Sequence, residues 1–168
     1  NEDKFIGRGI SYCATCDGAL YKGKTVAVVG GGSGALYEAE YLADVVEKVY
    51  RIHRRSEFRG EEKLVEELKK KGNVEFILDS NVTKLNGEEK LESIEINHEK
   101  TLAVDCLFVA IGRVPSNIEF KNLINLDEKG YIEASEDCKT NVEGIFVAGD
   151  NRTKQTRQIV TATADGAV

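Results

Sequence analysis

A short β-branched run that stops in three glycines constrains this chain more than any other feature. Thr25–Val29 reads TVAVV and is followed at once by Gly30-Gly31-Gly32. β-Branched residues favour extended backbone, and a glycine cluster after such a run marks a turn needing unusual backbone freedom. Helix formers follow over residues 34–43, among them Ala35, Leu36, Glu38, Ala39, Glu40 and Leu42. Residues 48–53, KVYRIH, form a second extended segment. Strand, glycine turn, helix and strand in this order predict a βαβ unit, hence an α/β class with a parallel, Rossmann-like sheet.

The pattern continues downstream. A helix is predicted over residues 61–71, with Glu61, Glu62, Glu66 and Glu67 early, Lys69, Lys70 and Lys71 late, and Leu64, Val65 and Leu68 as its apolar face. Gly72 is placed to cap it, and residues 74–78 (VEFIL) read as a third strand. Residues 81–85, 91–97 and 101–104 alternate apolar and polar between turns at Asn86-Gly87 and His98, as an antiparallel meander would. Residues 105–111, DCLFVAI, return to a continuous apolar run suited to a strand covered on both faces. Arg113-Val114-Pro115-Ser116 holds the only proline and marks the expected boundary between residues 1–112 and residues 113–168. Beyond it come turn-rich segments, an expected strand at residues 144–148 (GIFVA), Gly149-Asp150 and a final helix. With no Met in the chain and a helical segment at its end, the 168 residues are expected to be a piece of a longer protein.

Composition excludes several classes. With 41% hydrophobic and 31% charged residues the chain is a folded globular protein, not a disordered one. A net charge of −6 gives no electrostatic reason to expect nucleic acid or an anionic membrane surface as partner. No apolar run reaches the ~18–20 residues of a membrane span. Four cysteines, Cys13, Cys16, Cys106 and Cys138, are too few and unevenly spaced for a secreted disulfide framework, so a cytoplasmic location is expected.

The glycine turn reads Gly30-Gly31-Gly32-Ser33-Gly34-Ala35, a G-x-G-x-x-A match between strand and helix. Gly30 permits the tight turn, Gly32 lets a pyrophosphate approach the backbone, and Ala35 allows close helix–strand packing. Free N–H groups at the helix start complete a phosphate site, whereas a plain tight turn is the bland alternative. Where an NAD site places an acidic residue for the ribose, this chain has His53-Arg54-Arg55, with Arg59 shortly after. Guanidinium groups there bind a 2′-phosphate, which favours NADPH over NADH, and a basic solvated loop is the alternative. Cys13 and Cys16 stand in SYCATCDG at a spacing that suits a redox disulfide or half of a zinc site. No further paired ligands support the zinc, so no metal is expected, and Asp17 is placed to exchange protons with a thiolate. Cys106 reads as a core residue and Cys138 as a loop residue without special role.

These motifs resemble the bacterial and archaeal low-molecular-weight thioredoxin reductases. CATCDG, GGGSGA after AVV, HRRSEFR, FVAIGRVPSN and GIFVAGDNRTKQTRQIVTATADGA occur in the family's order and spacing over essentially the whole chain. The resemblance implies an NADPH domain over residues 1–112 and the C-terminal part of an FAD domain over residues 113–168. It implies that Cys13 and Cys16 are the redox-active disulfide, Cys16 nearer the flavin and Cys13 exchanging with thioredoxin, with Asp17 as acid–base group. Gly30, Gly32, Ser33 and Ala35 would lie at the NADPH pyrophosphate, and His53, Arg54, Arg55 and Arg59 at its 2′-phosphate. Gly149-Asp150 would hold the FAD ribityl chain, and Arg157-Gln158 would lie along the flavin.

The implied reaction runs from NADPH through FAD to Cys13–Cys16 and on to thioredoxin, in a homodimeric full-length enzyme whose NADPH domain rotates about the boundary. The family usually carries Asp-Ser where this chain has Ser33-Gly34, a loss of negative charge that should leave binding in place. Its FAD-domain glycine motif lies upstream of the residues seen here, so this piece alone is expected to bind NADPH without holding FAD or turning over. Related readings are the flavoprotein subunit of an alkyl hydroperoxide reductase, another thioredoxin-reductase-like enzyme, and a non-enzymatic NADPH-binding module, which would not need a CxxC pair.

Overall fold

The computed structural model describes residues 1–58 and 60–168, so Arg59, one of the basic residues predicted for the 2′-phosphate, lies outside the described residues. The chain divides into two compact units, Asn1–Gly112 and Arg113–Val168.

In the first unit the strands are β1 (Ile10–Ser11), β2 (Thr25–Val29), β3 (Lys48–Ile52), β4 (Val74–Ile77), β5 (Val82–Asn86), β6 (Ser93–Ile96), β7 (Lys100–Ala103) and β8 (Cys106–Val109). Its helices are α1 (Ala14–Asp17), α2 (Ser33–Ala43) and α3 (Glu62–Lys70). A five-stranded sheet in the order β1-β8-β2-β3-β4 is parallel throughout, and β5-β6-β7 form a three-stranded antiparallel meander. The α/β class with both kinds of sheet is as the sequence predicts.

Side chains alternate across the parallel sheet, so each strand feeds two cores. Val26, Val28 and Phe108 face one way and pack with Leu36, Ala39 and Leu42 of α2 and Leu64 and Leu68 of α3. Ala27, Ile52 and Leu107 face the other way and pack with Ile94, Ile96 and Leu102 of the meander. That double cover is why β8 lacks the alternation of β6, whose Ile94 and Ile96 are buried between half-buried neighbours.

Two local expectations change. Helix α3 closes at Lys71 with φ −75°, so Gly72 is not a left-handed cap; Lys71 pairs with Asp44 instead. In the second unit, residues 144–148 form no strand. Phe146 makes one isolated bridge to Lys139 and is 64% exposed, and Val147 donates its N–H to the Cys138 carbonyl at 2.9 Å. A lone apolar run cannot become a ladder without a neighbouring strand to pair with. Cys138 lies outside any helix or strand, as expected, and is buried there with φ +59°. The second unit has its own small core of Ile124, Ile132 and Val147 and ends in α4 (Ile159–Gly166). Among the described residues no helix is long and apolar enough to cross a membrane.

Candidate functional site

Because β1, β2 and β3 run parallel, the segments that follow their carboxyl ends lie along one edge of the sheet, where open α/β sheets place their ligands. After β2 comes the glycine turn. Gly30 has φ +147°, and a Cβ there would sit 2.2 Å from the Ala110 carbonyl oxygen, so only glycine fits. A Cβ on Gly31 would meet the His53 ring at 1.9 Å, whereas Gly32 faces open space. Gly32 is the N-cap of α2 with no side-chain cap, and no acidic residue stands in the first helical turn. The first N–H groups of a helix have no partner within it, so Ser33 and Gly34 offer donors and a positive dipole end to an anion. Ala35 is buried between α2 and the sheet.

A cleft of about 540 Å³ opens on this turn and is lined by Gly30, Gly31, Gly32, His53, Arg54 and Ser80, among others. His53 is buried, its ring stacked on Phe58 at 5.3 Å. Arg54 and Arg55 are exposed, and Arg54 reaches the cleft lining.

Beneath the turn lies a residue that the motif reading passed over. Arg51 of β3 is fully buried and donates from Nη1 to the carbonyls of Gly30 (2.6 Å), Ile52 (3.2 Å) and Val28 (3.4 Å). Its guanidinium lies 5.1 Å from the Phe58 ring centroid, while Nε and Nη2 have no hydrogen-bond partner among the described residues. Burial pushes the group down to about 10, opposed by the nearby Glu38 carboxylate, so it remains a cation at neutral pH. The period of β3 held the signal: Arg51 shares a face with the buried Val49.

After β1 comes the cysteine pair. Cys13 and Cys16 form a disulfide with Cα atoms 5.3 Å apart. Cys13 is the N-cap of α1, and its Sγ accepts the Cys16 N–H at 3.2 Å. Thr15 Oγ1 lies 3.4 Å from the same sulfur. Asp17 closes α1, and its Oδ2 accepts the Ser11 hydroxyl at 2.7 Å. Among the described residues no group of three or more His, Cys, Asp or Glu side chains could hold a metal ion. Cys106 lies in the core as predicted; burial pushes its thiol up to about 12, and burial likewise raises the Tyr21 hydroxyl bonded to it.

The second unit gathers the remaining predicted residues. Gly149, with φ +92°, donates its N–H to Asp165 Oδ2 at 2.8 Å. Arg152 grips the same carboxylate through Nε and Nη2, each at 2.8 Å, and Lys154 adds a bond of 2.9 Å. Arg152 first, then Lys154, hold the Asp165 carboxyl far below the usual carboxylate range. Arg157 donates to the carbonyls of Asp150 (3.1 Å) and Arg152 (3.2 Å) and lies over Tyr131 at 4.0 Å. Gln158 caps α4 reciprocally with Thr161, and the Asp150 side chain stays exposed. Gly149, Asp150, Arg157 and Gln158 thus share one turn and the helix start that follows it. The Arg152–Asp165–Lys154 cluster had no sequence signal, because its members are charged residues spread between a loop and a helix.

Comparison with known proteins matches this architecture. The family model for pyridine nucleotide-disulphide oxidoreductases covers residues 1–166. Thioredoxin reductase of Mycoplasma genitalium is 50% identical over 98% of this chain and 54% of its own length. Among solved structures, thioredoxin reductase from Streptococcus pyogenes superposes with a TM-score of 0.88 at 37% identity, over 95% of this chain and 54% of that one. The enzyme from Giardia duodenalis gives 0.85 at 36% identity, over 99% and 57%. The chain spans about half the length of the curated relatives it matches. With the family model spanning both compact units, the chain belongs to the pyridine nucleotide-disulphide oxidoreductase family.

Proposed function

We propose that this chain is the part of an NADPH-dependent flavoprotein disulfide reductase that holds the dinucleotide and the redox disulfide, and that the protein it passes electrons to is thioredoxin. One observation carries the reading: the Cys13–Cys16 disulfide and the glycine turn follow parallel strands of the same sheet, at the same edge. The cleft volume is that of a small-molecule site, and its chemistry suits NADPH. The unobstructed Gly32 backbone and the α2 N-terminus face the pyrophosphate, while Arg54 and Arg55 offer forked donors to the 2′-phosphate. In the second unit an exposed Asp150 carboxylate stands before the uncovered Ile159 and Val160 of α4. A hydroxyl acceptor beside an apolar step fits a ribityl chain leading into a flavin ring. When bound, FAD supplies the two-electron relay between nicotinamide and disulfide. The cysteines of this chain then exchange with the thioredoxin disulfide, and Asp17 gives or takes the proton.

Calorimetric titration of the chain with NADPH and NADH tests the donor site. One charge-assisted contact to the 2′-phosphate corresponds to a preference of roughly tenfold or more for NADPH. Equal affinity for the two would remove the 2′-phosphate assignment. The chain reduced with dithiothreitol and freed of it should also convert oxidised thioredoxin to its dithiol; unchanged thioredoxin would remove the substrate assignment.

A further inference from the structure

Ser11 ends β1 two residues before the first cysteine and is 3% exposed. A serine hydroxyl has one proton to give, and the 2.7 Å bond to Asp17 Oδ2 takes it. The same oxygen accepts the Cys13 N–H at 3.2 Å, while the Cys13 carbonyl, at 3.4 Å, is the weaker acceptor for that proton. Cys13 is the N-cap of α1 and Asp17 its last residue. One buried hydroxyl therefore ties the start of the redox turn to its end.

In the oxidised chain the S–S bond also crosses this turn. Reduction removes that tie. An external thiolate attacks one sulfur of Cys13–Cys16, giving a mixed disulfide, and the other cysteine leaves as a thiolate that takes up a proton. A second external thiol loses its proton and, as a thiolate, displaces the remaining cysteine, which is protonated in turn. Two electrons and two protons thus pass to the pair, and the external dithiol ends as a disulfide. Once the ring is open, the Ser11 hydroxyl remains as a side-chain tie between Cys13 and the carboxylate that exchanges these protons.

We infer that Ser11 is a positioning residue that holds the Asp17 carboxylate in register with the cysteine pair, above all in the dithiol state. This rests on the redox reading of the pair proposed above. The titratable groups facing this corner are Tyr21 from the turn after α1 and Cys106 from β8, with Asp105 behind them and Tyr41 of α2 against Gly18. Tyr21 and Cys106 keep their protons through the neutral range, so neither supplies a limb to a rate profile there.

The test uses the 168-residue chain and needs no flavin. The reduced chain reacts with a small aromatic disulfide, and the rate of closure of the cysteine pair is followed from pH 5 to 9 for the unchanged chain, Ser11→Ala, Ser11→Thr and Asp17→Asn. Ser11→Ala is expected to close roughly tenfold more slowly near neutral pH, to shift the pH profile in the same sense as Asp17→Asn, and to be rescued by Ser11→Thr. A Ser11→Ala profile superposable on the unchanged chain overturns the inference. So does a uniform slowing without change in pH dependence, which marks a merely structural serine. If the unchanged chain forms no reversible disulfide, the redox reading itself fails, an outcome distinct from both.

Discussion

Gly30 and Gly31 stand side by side in one turn, yet each is glycine for a different reason. At Gly30 the constraint is backbone: a Cβ would press on the Ala110 carbonyl, which β8 holds beside β2, and φ is positive. At Gly31 the constraint is a side chain, the His53 ring, which could swing away. Gly30→Ala is therefore expected to cost about 2–4 kcal/mol of stability, measured by denaturant unfolding. Gly31→Ala should fold and displace His53 from the cleft wall, lowering NADPH affinity roughly tenfold in calorimetry. Gly30 and Ala35 were legible because the turn's sequence pattern follows directly from its backbone and packing needs, whereas Gly32, at φ −91° and facing open space, has only the proposed pyrophosphate approach to account for it. Arg51 was not legible, because a charged residue in a strand reads as solvent-facing until the alternation is followed from Val49. The structure places it under the turn, bonded to the Gly30 carbonyl, where its charge and geometry support the same feature that the glycines shape.

Elements were legible where each carries its own period. Strand β2 keeps its predicted bounds, Thr25–Val29, and α2 differs from the prediction by one residue at its start. Residues 144–148 failed this rule, since strand character depends on a partner that the sequence does not display. What organises that region is the connection between the turn at residues 149–154 and α4, made through Asp165. In an unfolded chain this carboxyl would titrate near 3.8, and in the folded one Arg152 and Lys154 hold it lower. A depressed carboxyl contributes stability that is complete above the unfolded value and is lost as pH falls from about 4 through the folded one. The melting temperature of the second unit should accordingly drop below pH 4. Asp165→Asn should lower it already at pH 7, by leaving buried Lys154 without its anion and buried Arg152 with only the exposed Glu136, and should flatten its remaining dependence below pH 4. Calorimetric melts over pH 2–7 check both, and an unchanged melt at pH 7 would count against the cluster as an anchor.

At the scale of the whole chain, the βαβ unit made the first unit's parallel sheet legible, while the assembly of the second was not, because its isolated bridges and ion cluster join residues with no common period. The two units also differ in what holds them. The first has helices on one face of its sheet and the meander on the other, each with an extensive apolar core. The second has one small apolar cluster around Ile124, Ile132 and Val147, with Cys138 buried besides, and depends on charge pairing at Arg152. Hydrophobic burial does not titrate, whereas the Asp165 pairing does, so acid should separate the two transitions in a thermal scan near pH 4. The proposed dinucleotide site lies wholly within the first unit. A ligand that binds only the folded form of one unit stabilises that unit by about 2.7 kcal/mol at a hundred times its dissociation constant. NADPH is therefore expected to move the upper transition to higher temperature and leave the lower one where it was. A single transition that moves as a whole would show the units melting as one body, and movement of the lower transition alone would place the nucleotide in the wrong unit.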